Sequence, residues 1–341
     1  MDPLSGFFYL LNLNRMKKIL FLACLFIGLN ATAQSLKPSE LAHTFSIVAR
    51  DVKTGEMAVG VQSHWFSVGT AVSWAEAGVG AIATQSFTNK SFGIRGLALL
   101  KQGKTAQQAL DELLSTDDGR EVRQVAIVDS KGNVAAHTGK KCIQFANHVI
   151  GDQFSVQSNM MLTDKVCAAM AKAYQDNMNL PIAERVLAAL NAAQEVGGDI
   201  RGKQSAALLV VPAKSNGEPW NERTVDLRVD DNEFPLKELG RLLKVHEAYE
   251  HMNNGDLAVE VNDMQKAMVE YGTAMKMQPR NLEMQYWTAV TLANNKQVGK
   301  SLPMFKKIFS ANKNWKELTR RLPVVGLLTV SDKELAEILA L

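Results

Sequence analysis

The sequence predicts an α+β protein, with a layered sheet-and-helix domain followed by an all-α region. Three observations lead there. Short runs rich in Val, Ile and Ala, bounded by Gly or polar turns, recur from Phe45 to Ser86 and again after Arg123. Paired helical segments follow these strands and two more strands follow the helices, an order that fits sheet layers covered by helices and not a regular βαβ repeat. From Pro235 onward the pattern is helical throughout.

The elements follow in order. Met16-Lys17-Lys18, an apolar run over 19–29 and Ala31-Thr32-Ala33 have the three parts of a secretory signal. Cleavage is expected after Ala33, and residues 1–15 read as an extension upstream of Met16. The apolar run is far shorter than the ~20 residues a spanning helix needs, so no membrane span is expected after cleavage. Residues 34–43 read as a linker. Strands are predicted over 45–50, 56–62, 71–76 and 80–86, with Asp51-Val52-Lys53-Thr54-Gly55 as the first turn. Residues 93–114 read as helical, interrupted at Gly103-Lys104-Thr105, where Thr105 suits an N-cap. A hairpin over 123–129 and 133–137 turns at Ser130-Lys131-Gly132. A strand over 152–158, helices over 164–174 and 181–195, and strands over 206–211 and 224–229 complete a domain spanning 44–240.

In the region 241–341, Ala267, Tyr271, Ala274 and Pro279 stand at the offsets of the second helix of a tetratricopeptide repeat, and Gly255 fits the small position of the first. One period later only Ala289 and Phe305 match. Such repeats present surfaces to peptides or proteins, so a peptide or protein ligand is a candidate partner. With one clear repeat, simple packing onto the first domain or a dimer mate is the stronger expectation. An ordinary helical extension is the alternative, and an oligomer is compatible with either.

The 341 residues carry a formal net charge of +3, and without residues 1–33 the balance falls to 35 positive against 34 negative charges. That near-neutrality gives no support for nucleic-acid binding, which shows as a basic patch or stripe. Cys142 and Cys167 are either buried thiols or a disulfide of an exported protein. The six histidines show no metal-ligand spacing, and no metal or cofactor is expected. No phosphate-binding glycine loop and no Gly-x-Ser-x-Gly elbow is present.

Several blocks in one order resemble a known family. They are the stretch from His43 to Asp51, Gly60-Val61-Gln62-Ser63, the run WAEAGVGAIATQS over 74–86, Gly93-Ile94-Arg95-Gly96-Leu97-Ala98-Leu99-Leu100, Arg123-Gln124-Val125, GDIRGKQSAALLVV over 198–211, and Asp226-Leu227-Arg228-Val229-Asp230-Asp231. Together they resemble the bacterial domain-of-unknown-function 1028 family over about 43–245. That family is grouped with the N-terminal-nucleophile hydrolases, so the resemblance implies a four-layer αββα sandwich and an amidohydrolase-type scaffold without naming a substrate.

A site of that type needs a nucleophile heading a strand, an amine as base and an oxyanion hole. Thr44 has the position of the nucleophile, but signal cleavage leaves residues 34–43 ahead of it, so a second cut between His43 and Thr44 is required. The alternative is that Thr44 simply begins a buried strand. Ser63 is a candidate internal nucleophile. Gln85 and Asn89 are candidate oxyanion donors or ordinary turn ligands. Arg95, Arg123, Arg201 and Arg228 are candidate substrate-binding groups, able to clamp a carboxylate if two converge, with structural ion pairs as the alternative. Asn159 either lines the pocket or bonds backbone in a turn. His64 and His137 read as rim or strand-end histidines. The function expected is hydrolysis of an amide bond in a peptide or cell-wall-type substrate by an exported protein, periplasmic or secreted. The alternative is a non-catalytic binding protein that keeps the hydrolase scaffold.

Overall fold

The computed structural model describes residues 40–341, so the signal-type segment 1–33 and all but the end of the 34–43 linker lie outside the described residues. Among the described residues, eleven strands form two antiparallel sheets. The first runs β11 (Val225–Val229), β10 (Ser205–Val211), β3 (Met57–Ser63), β2 (Thr44–Arg50), β9 (Phe154–Ser158) and β8 (Asn147–Gly151). The second runs β1 (Glu40–Ala42), β5 (Gly80–Thr88), β6 (Arg123–Asp129) and β7 (Val134–Thr138), with β4 (Ser73–Glu76) also paired to β5.

Side-chain alternation along these strands divides the interior into three apolar clusters. Between the sheets lie Val48, Val59, Val61, Ala81, Ala83, Ala126, Val128, Ala207 and Leu209. On the far side of the six-stranded sheet, Phe45, Ile47, Ala49, Val156 and Leu208 pack against helices α3 (Val166–Asp176) and α4 (Ile182–Glu195) and the start of α5 (Pro235–Glu260). On the far side of the five-stranded sheet, Ile82, Val125, Ile127 and Ala135 pack against α1 (Ser91–Lys101) and α2 (Ala106–Ser115). Helix, sheet, sheet and helix are therefore stacked in that order.

The predicted helix over 93–114 is two helices, and Thr105 does cap the second: its hydroxyl accepts from Gln108 N while Gln108 Oε1 accepts from Thr105 N. Two short strands were not expected. β8 lies at a sheet edge with residues Asn147 to Gly151 half-buried or exposed, so it lacks the apolar run that marks its neighbours. β1 is only three residues long. Residues 71 and 72 precede β4, joining it to a 3-10 turn over Val68–Thr70.

The first turn is fixed by Asp51, whose Oδ1 accepts from Lys53 N and Thr54 N at 2.7 Å each while its other oxygen pairs with Arg185 of α4. Arg185 is fully buried, and its guanidinium stacks 5.3 Å from the ring centroid of Tyr174. This ties β2, α3 and α4 together at the end of the sandwich away from Thr44.

Beyond the sheets, α5 runs on without a break into an antiparallel pair with α6 (Met264–Met277). A second pair follows, α7 (Leu282–Asn294) with α8 (Val298–Ala311), then α9 (Asn314–Arg321), a 3-10 turn (Leu322–Val325) and α10 (Asp332–Leu339). Gly255 allows α5 and α6 to approach, since a Cβ there would stand 2.3 Å from Tyr271 Cε1. None of the described helices is long and apolar enough to cross a membrane.

Gly60, at the centre of β3, plays the same part under α4: a Cβ at this position would stand 2.3 Å from Val186 Cγ1 and 3.2 Å from Leu190 Cδ1. Gly60→Ala should therefore destabilise the protein by about 1–3 kcal/mol through overpacking, read as a lower urea midpoint with unchanged slope.

Candidate functional site

At one end of the sandwich the inter-sheet layer changes from apolar to polar. The inward phase of β2 carries Thr44 and Ser46 ahead of Val48, that of β3 ends in Ser63 after Val61, and that of β5 passes from Ala83 to Gln85. On β6 the same phase begins with Gln124, and on β9 it carries Ser155 and Gln157. All seven are buried. A buried polar group without a partner costs about 1–3 kcal/mol, so their hydrogen bonds must close.

They close around Gln124. Its Nε2 donates to Thr138 Oγ1 at 2.8 Å, Ser158 O at 2.9 Å and Asn147 O at 3.1 Å. Two of these acceptors are backbone carbonyls, so the amide cannot be turned round, and Oε1 must face the other way. There it accepts from Gln85 Nε2 at 2.7 Å and Asn159 Nδ2 at 2.9 Å. Asn159 is thereby oriented with Oδ1 toward His43, whose Nδ1 donates to it at 2.7 Å. On the other branch Gln85 Oε1 accepts from Ser46 Oγ at 2.6 Å, and Ser46 Oγ accepts from Gln157 Nε2 at 2.6 Å.

Thr44 sits within this frame, fully buried and paired across the sheet with Ser63. Its hydroxyl donates to Ala42 O at 2.7 Å. Its carbonyl accepts from Asn159 N at 3.1 Å and Gln85 Nε2 at 3.3 Å. The carbonyl oxygen of the preceding residue, His43, accepts from Ser63 Oγ at 2.5 Å and from Arg201 Nη2 at 2.7 Å. Arg201 is aimed by Asp199, which takes its Nε at 3.0 Å and Nη2 at 2.7 Å and also accepts from His64 N at 3.1 Å. The peptide bond between His43 and Thr44 thus has a hydroxyl and a guanidinium converging on its carbonyl oxygen.

Of the residues singled out by sequence, Thr44, Ser63, Gln85, Asn159 and Arg201 meet here. The others are engaged elsewhere. Asn89 Oδ1 accepts from Ser91 N and Oγ at the start of α1. Arg95 lies exposed on α1 and donates to Thr116 Oγ1 at 2.7 Å. Arg123 pairs with Asp117 at 2.7 Å and also donates to Phe87 O. Arg228 pairs with Asp226. Arg95, Arg123, Arg201 and Arg228 each bond a different side chain, so no two of these four converge as a carboxylate clamp. The residues that sequence reasoning passed over are His43, Ser46, Gln124 and Gln157; the signal for the last three was a polar side chain on the inward phase of an otherwise apolar strand.

Among the described residues, Cys142 and Cys167 are both free thiols. Burial pushes the Cys167 thiol up to about 11, and burial also raises that of Cys142, so neither is poised as a thiolate nucleophile. Among the described residues no group of three or more His, Cys, Asp or Glu side chains is placed to hold a metal.

The model of a family of unknown function, DUF1028, matches residues 44–239. The chain belongs to the DUF1028 family. Among solved structures, this DUF1028 protein is similar to SPO2555 from Silicibacter pomeroyi, of the same family, at 31% sequence identity and a TM-score of 0.54, over 60% of this chain and 85% of that one. No curated protein matches the chain. Every residue of the Thr44 cluster from β2 through β10 falls inside the matched span, while α6 to α10 lie beyond it.

Burial lowers the pKa of His43, against the opposing effect of its bond to Asn159, and burial likewise lowers that of His148. Below about pH 6.5 the unfolded imidazole binds a proton that the folded one resists. The unfolded state then holds more protons, so stability is full above that pH and falls as the pH drops through it. His43→Gln should show a smaller loss of urea stability between pH 7 and pH 5 than the unsubstituted protein.

Proposed function

We propose that this DUF1028 protein is an exported hydrolase of amide bonds in a peptide or cell-wall-type substrate, on an N-terminal-nucleophile-type αββα sandwich with Thr44 as nucleophile. Export rests on the basic, apolar and small-residue segments between Met16 and Ala33. The observation that carries the chemistry is the pair of donors on the His43 carbonyl oxygen, Ser63 Oγ at 2.5 Å and Arg201 Nη2 at 2.7 Å.

Attack of Thr44 Oγ on the carbonyl carbon of His43 would place negative charge on that oxygen. Donors already aimed at a developing oxyanion are the largest single source of acceleration in acyl transfer. As the C–N bond breaks, the hydroxyl proton passes to the departing Thr44 nitrogen, leaving His43 esterified to Oγ. Water then hydrolyses the ester, yielding a carboxylate on His43 and a free α-amine on Thr44. That amine is the base a Thr nucleophile needs for further substrates. Thiol chemistry at Cys142 or Cys167 is a poor competitor, given the raised pKa values of these two groups.

A second reading, a binding protein on the same scaffold, draws on a groove of about 700 Å³ between α4 and α5, lined by Leu180, Leu187, Leu236 and Leu243 with Glu184 and Lys244 among the polar groups. On this reading the helices after α5, with their tetratricopeptide-like spacing, contact a peptide or protein partner.

Intact mass of the protein recovered from the producing cell separates the two. The hydrolase reading expects a species beginning at Thr44, abolished by Thr44→Ala. Ser63→Ala and Arg201→Met should each slow its appearance about 100-fold. A protein that persists with His43 attached, and that hydrolyses no amide substrate, would sink the hydrolase in favour of the binding protein.

A further inference from the structure

We infer that the space now filled by His43 is the acyl-side binding subsite of the enzyme, and that it selects substrates with a histidine-type ring N–H donor immediately before the bond to be cut. This rests on the reading of Thr44 as nucleophile. The ester formed when Thr44 attacks the His43 carbonyl and the ester formed when it attacks a substrate are both made at Thr44 Oγ, with their carbonyl carbons in the same position against the same oxyanion donors. The group on the other side of that carbon must then occupy the same space in both.

That space has a defined chemistry. His43 is 2% exposed, and its ring meets Phe87 edge-on, with centroids 5.7 Å apart and planes at 85°. Its Nδ1 faces Asn159 Oδ1 at 2.7 Å. Asn159 is fully buried and is not free to offer its amide N–H instead, because Nδ2 is held by Gln124 Oε1. Gln124 in turn is held by the carbonyls of Ser158 and Asn147. The subsite wall is therefore an acceptor fixed through two successive amides to the backbone. A ligand that brings a donor satisfies it. An aspartate or glutamate brings only acceptors, and an alanine leaves Asn159 Oδ1 buried and unpaired.

The aromatic edge of Phe87 adds a preference for a planar ring over a flexible donor. Ahead of His43, Ala42 is fully buried in the inter-sheet cluster, so the preceding position admits only a small side chain. Along the chain, Thr44 Oγ donates to Ala42 O, a contact an extended peptide with Ala and His in these positions reproduces.

The test uses the mature protein recovered from the producing cell, with its whole chain from Thr44 onward, and four fluorogenic amides, acetyl-Leu-Ala-X-aminocoumarin, where X is His, Ala, Glu or a histidine methylated at Nδ1. A site built to bond a substrate N–H rejects analogues lacking it strongly, so X = His should exceed the other three by about 100-fold or more in kcat/KM. In Asn159→Leu the ratio of His to Nδ1-methylhistidine should collapse toward one; the peptide series on the unsubstituted protein decides the matter should that variant not fold. Equal rates for all four, preference for another residue, or no hydrolysis by a preparation that does begin at Thr44, would overturn the subsite and leave the Thr44 cleavage standing. Absence of both a Thr44-initiated species and any hydrolysis would overturn the two together.

Discussion

The amide of Gln124 governs the arrangement around Thr44. Two backbone carbonyls and a hydroxyl claim its Nε2, and with that direction settled, Oε1 can only accept. Every bond outward from it inherits a sense: Gln85 and Asn159 must donate inward, so their own oxygens point to Ser46 and His43. In a buried layer each reversal would strand at least one donor or acceptor, at about 1–3 kcal/mol apiece. The network is consequently determinate in a way that packing of apolar side chains alone is not.

The apolar half of the same layer does complementary work. Val48, Val59, Val61, Ala81, Ala83 and Ala126 set the separation of the sheets, and small alanines on β5 and β6 let the two come close enough for side chains as short as Ser46 to reach across. Spacing and direction thus come from two ends of one seam. Arg201 enters from outside that seam, held by Asp199, and brings a cation to the His43 carbonyl.

Much of this was legible in the sequence, and the parts that were not share a cause. Alternating Val, Ile and Ala marked most strands, and Thr105 marked the start of α2, because these signals act within a few residues. β8 escaped notice as an edge strand with no apolar run. In the site, Thr44 was recognisable by its place at the head of a strand. Its meeting with Ser63 depends on the register of β2 against β3, and the meeting with Arg201 on β10 lying beside β3. Asn89 read as a site residue by its place at a strand end and Arg123 by its place in a block of family resemblance, yet local partners, Ser91 and Asp117, claim them. Gln124 and Gln157 were visible as polar interruptions, but their meaning appears only when five strands are brought together.

The 26-residue helix α5 begins on the six-stranded sheet, where Leu236 and Leu239 join its core, and ends in the hairpin with α6. At 1.5 Å per residue it is a rod of about 39 Å, and at 3.6 residues per turn each inserted or deleted residue would rotate everything after it by about 100°. The direction in which the terminal helices face is therefore encoded as a residue count within a single helix. A variant of this chain with one residue added to or removed from the helix would aim the same surface at a different quadrant, while a change of seven would keep it nearly in phase.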